Sequence, residues 1–202
     1  MNGKVVKYLS VAAVVLALLA GAFAATKGDA NSGDINDSIA TVTVVSELTG
    51  FRVERNQELI EGPLDENDKE SGQLWRFVQP EGSDVEFRIT ARYEQGASLK
   101  KLTNVTKQSL RDAVLGNVDL QLPVQYPDYE EVSRLNTVIN GIEASEIVFT
   151  YNSNEQHIKQ RLVLLFKNSD TVVYMQAQAL ESDFEELNQR YFESLIVSAY
   201  FE

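Results

Sequence analysis

Between Glu131 and Leu180 four runs rich in apolar and β-branched residues are cut by short polar turns, and no other stretch narrows the fold as far. Glu131–Ile139 leads into Asn140-Gly141, and Ile142–Tyr151 returns from it. Asn-Gly accepts positive φ at both central positions of a two-residue turn, so this pair predicts a tight antiparallel hairpin. Asn152–Gln156 supplies the next turn, and His157–Lys167 and Thr171–Leu180 follow as strands around Asn168-Ser169-Asp170. The hairpin residues have a structural reason to be there before any chemical one.

The remaining segments agree with a sheet that carries helices. Thr49–Arg55, Gln73–Gln79 and Val85–Tyr93 read as strands. In the last of these Val85, Phe87, Ile89, Ala91 and Tyr93 face one way, and Glu86, Arg88, Thr90 and Arg92 the other. Pro80–Asp84 is turn chemistry and predicts that the second and third runs pair as a hairpin. In Ser98–Asn117, Leu99, Leu102, Leu110, Ala113 and Val114 fall near helical spacing, with Gly116-Asn117 as the expected stop and Gln121–Asp128 as a loop holding two prolines. Ser182-Asp183-Phe184-Glu185 has the form of a capping box, and Phe184, Leu187, Tyr191 and Leu195 form an apolar stripe behind it. The fold class read from this order is α+β, a mostly antiparallel sheet with helices packed on it.

The first 24 residues read as a secretory signal peptide or an N-terminal membrane anchor. Lys4 and Lys7 precede an apolar stretch, and Ala22-Phe23-Ala24 offers small residues for cleavage before Ala25. Residues 25–41 are rich in Gly, Asn, Asp and Ser and read as a flexible linker, leaving 42–202 as one domain. The expected location is therefore extracytoplasmic or periplasmic, with membrane contact only through an N-terminal helix that is retained. The 202-residue chain contains no cysteine and one histidine, His157, which removes disulfides, thiolate chemistry and a multi-histidine zinc site. A net charge of −12 repels phosphate backbones, so no nucleic acid is expected as a partner.

Three features carry a resemblance to a known family. They are the element order, the Asn140-Gly141-x-x-Ala144 turn, and the C-terminal run from Tyr174 through Ser182-Asp183-Phe184 to Val197-Ser198-Ala199-Tyr200-Phe201. Together, over about Thr49–Glu202, they resemble the Mog1/PsbP-like fold family, including its exported bacterial PsbP-related members. The resemblance implies an α/β/α sandwich and a protein that binds or assists and does not catalyse. Leu19-Ala20-Gly21-Ala22 resembles a lipoprotein box whose cysteine has become alanine, which fits the exported branch.

Candidate functional residues follow from chemistry. Asp65, Glu66 and Asp68 lie in the densest acidic run and are candidate oxygen ligands for calcium; no other cofactor is expected. Trp75, Tyr151 and Tyr174 are candidates for an aromatic-lined binding surface, and Arg88 and Arg92 for contact with an acidic partner. No catalytic residue is assigned, because the chain lacks a Gly-x-Ser-x-Gly elbow and a phosphate loop and His157 sits in a polar turn. The expected function is a non-catalytic exported accessory protein acting on a protein partner at the membrane surface. A second reading is a calcium or small-ligand module in the manner of an extrinsic photosystem II subunit, and a third is a hydrolase.

Overall fold

The computed structural model describes residues 40–79, 88–95, 107–169 and 171–202. Its strands are β1 (Thr41–Ser46), β2 (Phe51–Asn56), β3 (Ile60–Glu61), β4 (Gln73–Val78), β5 (Arg88–Gln95), β6 (Glu130–Ile139), β7 (Ile142–Ser153), β8 (Gln156–Phe166), β9 (Thr171–Leu180) and β10 (Tyr200–Phe201). The helices are α1 (Glu66–Glu70), α2 (Lys107–Gln125), α3 (Glu181–Leu187) and α4 (Glu193–Ser198), with a π-helical turn at Asn188–Phe192 joining the last two. The large sheet has seven strands in the order β3-β4-β5-β9-β8-β7-β6, and a small sheet has the order β1-β2-β10. The pairings are antiparallel throughout.

Period-two alternation sends the central strands to two cores. On one face Ile147, Phe149, Leu162, Leu164, Val172 and their neighbours meet the α2 stripe Leu110, Val114, Val118 and Leu122, with Tyr126 just past the helix end. On the other, Val163, Leu165, Val173, Met175 and Ala177 meet Phe184, Leu187, Tyr191, Phe192 and Leu195, with Phe51 and Val53 of the small sheet beside them. Helices thus cover both faces of one sheet, the α/β/α sandwich expected. Each large apolar side chain buried in these layers contributes roughly 1.5–3 kcal/mol.

The hairpin at Asn140-Gly141 forms as expected, with φ of +48° and +79° and Ile139 opposite Ile142. The β4–β5 hairpin also pairs as expected, although its turn lies outside the described residues. Three expectations need correction. Helix α2 runs through Gly116 to Gln125, so part of the expected Gln121–Asp128 loop is helical. A Cβ at Gly116 would meet nothing within 4 Å, which leaves the glycine a weak point in the helix and no cap, and the stripe continues past it through Val118 and Leu122. The last helix begins at Glu181 without a side-chain cap, so Ser182 falls in its first turn. Finally, Thr41–Ser46 is a full strand beginning one residue inside the expected linker.

Candidate functional site

The small sheet presents its outer face to solvent. In β2, Phe51 and Val53 turn inward, which leaves Arg52 and Glu54 on the opposite side. The register puts Val45, Arg52 and Tyr200 in one row across β1, β2 and β10, and Thr43 beside Glu54 in the next. Val45 and Tyr200 are exposed, as are Leu48 in the following turn and Val197 on α4. Between this face and α4 lies an open groove of about 380 Å³, lined by Thr43, Arg52, Val53, Glu54, Ser194, Val197 and Ser198.

Specific bonds hold the groove in shape. The Glu54 N–H donates to Ser198 Oγ at 2.7 Å, where β10 has ended and the β2 edge would otherwise be open. The Ser198 hydroxyl in turn donates to the Ser194 carbonyl at 2.6 Å. Asn140, from the hairpin turn across the molecule, donates Nδ2 to the carbonyls of Val197 (2.7 Å) and Ala199 (2.9 Å). Carbonyls at a helix C-terminus have no partner within the helix, and this side chain supplies one. The Asn-Gly turn therefore does carry a task, which is to clamp the end of α4. The Arg52 guanidinium lies 5.0 Å from the Tyr200 ring centroid and 3.7 Å from the Glu202 carboxylate. The face is thus apolar at Val45, Val197 and Tyr200, with the cation Arg52 between the carboxylates of Glu54 and Glu202.

The residues singled out from sequence lie elsewhere. Trp75 is in the core, stacked on Phe51 and Phe77, so it offers no surface to a partner. Tyr151 and Tyr174 are buried on the α2 face of the sheet, with Tyr151 4.5 Å from the Tyr126 ring. Burial raises the Tyr151 hydroxyl pKa; Tyr126 adds to the shift and the Arg88 charge opposes it. Arg88 is half-buried on this same face, opposite Gln178. Arg92 stands opposite Tyr174 in the register, and its side chain lies outside the described residues. The structure thus gathers Arg88, Tyr151 and Tyr174 on one sheet face and puts Trp75 on the other. It also shows that the polar side of β5 is a partly buried layer, for Thr90, Gln160, Gln176 and Gln178 are buried there.

The acidic run folds as the short helix α1. Asp65 caps it by accepting from the Asp68 N–H at 2.8 Å, and Asp68 Oδ2 accepts from the Asp65 N–H at 3.1 Å. Asp68 Oδ1 accepts from Arg76 at 2.8 Å. Two of the three candidate calcium ligands are therefore engaged within the protein, with Glu66 in the first helical turn between them. Among the described residues there is no group of three or more metal-ligating side chains. His157 is exposed, 2.9 Å from Asn152 Oδ1 and 3.3 Å from Glu181. No helix among the described residues is long and apolar enough to cross a membrane.

No family model matches the chain, and no curated protein matches it in sequence. Solved structures do. LpqN of Mycobacterium tuberculosis, described as involved in cell envelope biogenesis, is 12% identical with a TM-score of 0.51, over 81% of this chain and 91% of its own. A protein of Bacteroides thetaiotaomicron is 12% identical with a TM-score of 0.50, over 79% of this chain and 48% of its own. The solution structure of a cyanobacterial PsbP from Synechocystis is also 12% identical, with a TM-score of 0.49 over 86% of this chain and 98% of its own. The likeness to LpqN is one of fold, an antiparallel sheet with helices packed on it.

Proposed function

We propose that this is a non-catalytic, extracytoplasmic accessory protein that binds a protein partner through the outer face of the small sheet. The observation that carries the reading is the exposure of Val45 and Tyr200, in one row with Arg52, together with Val197 on α4, which lines the groove with Arg52 and Glu54. Exposed apolar side chains grouped on one face, with polar groups beside them, mark a surface for docking. The partner surface that fits is apolar, with an acceptor for Arg52 and a donor for Glu54. The position of the face supports a location near a membrane, because β1 follows the Gly- and Asn-rich stretch that leads from the hydrophobic N-terminus. Fully extended, those residues reach roughly 50 Å, so a retained N-terminal anchor would keep this face within about that distance of a bilayer. An envelope role for LpqN agrees with this placement. The non-catalytic reading is supported by the engagement of the one histidine with Asn152 and Glu181 at a hairpin edge.

The test is retention of the protein on membranes of its native host after the full chain is compared with Val45→Asp and Val197→Asp variants. The reading expects one stoichiometric partner to be recovered with the native chain and lost with both variants. Equal recovery of that partner with all three proteins contradicts docking at this face.

A further inference from the structure

The large sheet ends at β3 on one side and at β6 on the other, and among the described residues no strand lies beyond β6. It is ten residues long, and its row of outward backbone groups is a template for another strand. Strand edges are commonly protected by proline, lysine, a charge directed into the seam or a bulge; β6 contains neither proline nor lysine, and its bulge, between Glu131 and Ser133, lies near one end and leaves Ser133–Ile139 regular. Its one cation, Arg134, is drawn back onto its own molecule by Asp119 of α2 (2.6 Å) and by Glu131 (2.7 and 3.0 Å). Three apolar side chains stand out along the strand: Val132 is 53% exposed, Leu135 57% and Val138 63%.

We propose that β6 pairs with β6 of a second copy, antiparallel about a two-fold axis at Leu135, joining two sheets into one continuous sheet. The register follows from the hairpin. In a two-residue turn the closing pair, Ile139–Ile142, is hydrogen-bonded, so Ile139, Thr137 and Leu135 bond inward to β7. Val138, Asn136 and Arg134 then direct their N–H and C=O groups outward. A two-fold partner must match these even-numbered residues with one another, which leaves few registers. Centring on Arg134 sets like charges face to face. Centring on Asn136 puts Leu135 against Thr137 and Val138 against Arg134. Centring on Leu135 puts Leu135 against itself, Val132 against Val138 and Arg134 against Asn136. Only this last register sets every exposed apolar side chain of the strand against another, and it brings the two Leu135 residues together in a non-hydrogen-bonded pair, where side chains approach most closely.

Magnitudes set the strength. From Val132, the bulge residue where the β6–β7 register shifts, to Val138 the seam is about 20 Å long at about 3.3 Å per residue. A strand pair of that length and about 10 Å deep covers on the order of 200 Å² per partner, well below the roughly 800 Å² per partner of a standard interface, so the association is weak and depends on concentration. This association uses a different edge from the partner-binding face and stands or falls separately.

The chain contains no cysteine, so a single introduced thiol reports on the register without background. Leu135→Cys, Asn136→Cys and, as a control on the small sheet, Val45→Cys are made in the full chain and oxidised at equal concentration. Leu135→Cys is expected to form disulfide dimer about tenfold faster than either of the others, because only its Cα–Cα distance lies within disulfide range. Sedimentation of Leu135→Lys, whose charge would meet itself on the axis, is expected to show a lower dimer fraction than the native chain. Equal crosslinking at the three positions overturns the proposal, as does faster crosslinking at Asn136. A dimer fraction unchanged by Leu135→Lys overturns it as well.

Discussion

Replacing Arg161 with alanine should remove more stability than replacing any other cation among the described residues. The Arg161 side chain is 12% exposed and ties three elements together. Its guanidinium reaches Glu146 on β7 at 2.9 Å, Glu193 on α4 at 2.6 Å and Asn188 in the π turn at 3.2 Å, and it lies 5.7 Å from the Phe192 ring centroid. Burial opposes its charge, but the bonds to Glu146 and Glu193 outweigh this and hold its pKa above the ordinary arginine value. Alanine would leave Glu146, itself 19% exposed, without its cation. Orphaning one member of a buried pair costs about 3–5 kcal/mol, and Glu193, at 45% exposure, is rescued by water, so the lower end applies. About 3 kcal/mol in a chain of this size corresponds to a fall in Tm of roughly 6–12 °C. The assay is urea unfolding of the native chain, Arg161→Ala, and a double replacement, Arg161→Met with Glu146→Leu. The double variant should recover most of the loss, because an apolar pair of similar volume substitutes well for a buried ion pair. A loss below about 1 kcal/mol for Arg161→Ala, or no recovery in the double variant, refutes the reasoning.

Other expectations follow from single observations. The Tyr129 hydroxyl is pushed up to about 12, first by burial and then by the charge and hydrogen bond of Glu131. An unfolded tyrosine ionises near 10, so the stability from neutral Tyr129 is present below about pH 10 and is lost as pH rises toward 12; a phenolate titration in which Tyr129→Phe removes no late-titrating group would contradict this. Asn140→Asp keeps the turn's tolerance for positive φ but replaces the donor to Val197 and Ala199 with an acceptor, and should lower stability by about 1–3 kcal/mol, measured by urea midpoint. Gly72 has φ of +81° and a Cβ there would collide with the Tyr93 carbonyl, so Gly72→Ala should destabilise by about 2 kcal/mol or more, whereas Gly116→Ala in α2 should stabilise by about 0.5–1 kcal/mol. Calcium should leave the melting temperature unchanged, because Asp65 and Asp68 already accept from the α1 cap and Arg76; a clear rise with calcium would contradict that assignment.

The sheet was legible because its signals are local. Apolar, β-branched runs of strand length between the Asn140-Gly141 and Asn152–Gln156 turns give β6 to β8 without tertiary information. The α2 terminus was not legible, since a glycine and a proline inside the helix are outweighed by a buried stripe that extends to Tyr126. Strand β1 was hidden because Thr41–Ser46 abuts a polar stretch and becomes a strand only by pairing with β2. The site was the least legible part. Trp75 and Tyr174 look like surface aromatics until two core layers close over them, while Val45 and Tyr200 come from opposite ends of the domain and meet only through β2. The available signal was the alternation in Thr41–Ser46 together with the apolar residues near the C-terminus, but which side chains stay uncovered depends on packing that no local pattern encodes.

Docking of a partner on the face formed by Val45, Arg52, Val197 and Tyr200 is the proposal on which the function rests. The most direct measurement is photo-crosslinking in native membranes from a reactive side chain placed at Val197, compared with one at Glu155 in the β7–β8 turn. The account predicts one discrete heterologous adduct from position 197 that Tyr200→Asp abolishes, and none from position 155. Adducts of the same identity and yield from both positions would contradict it.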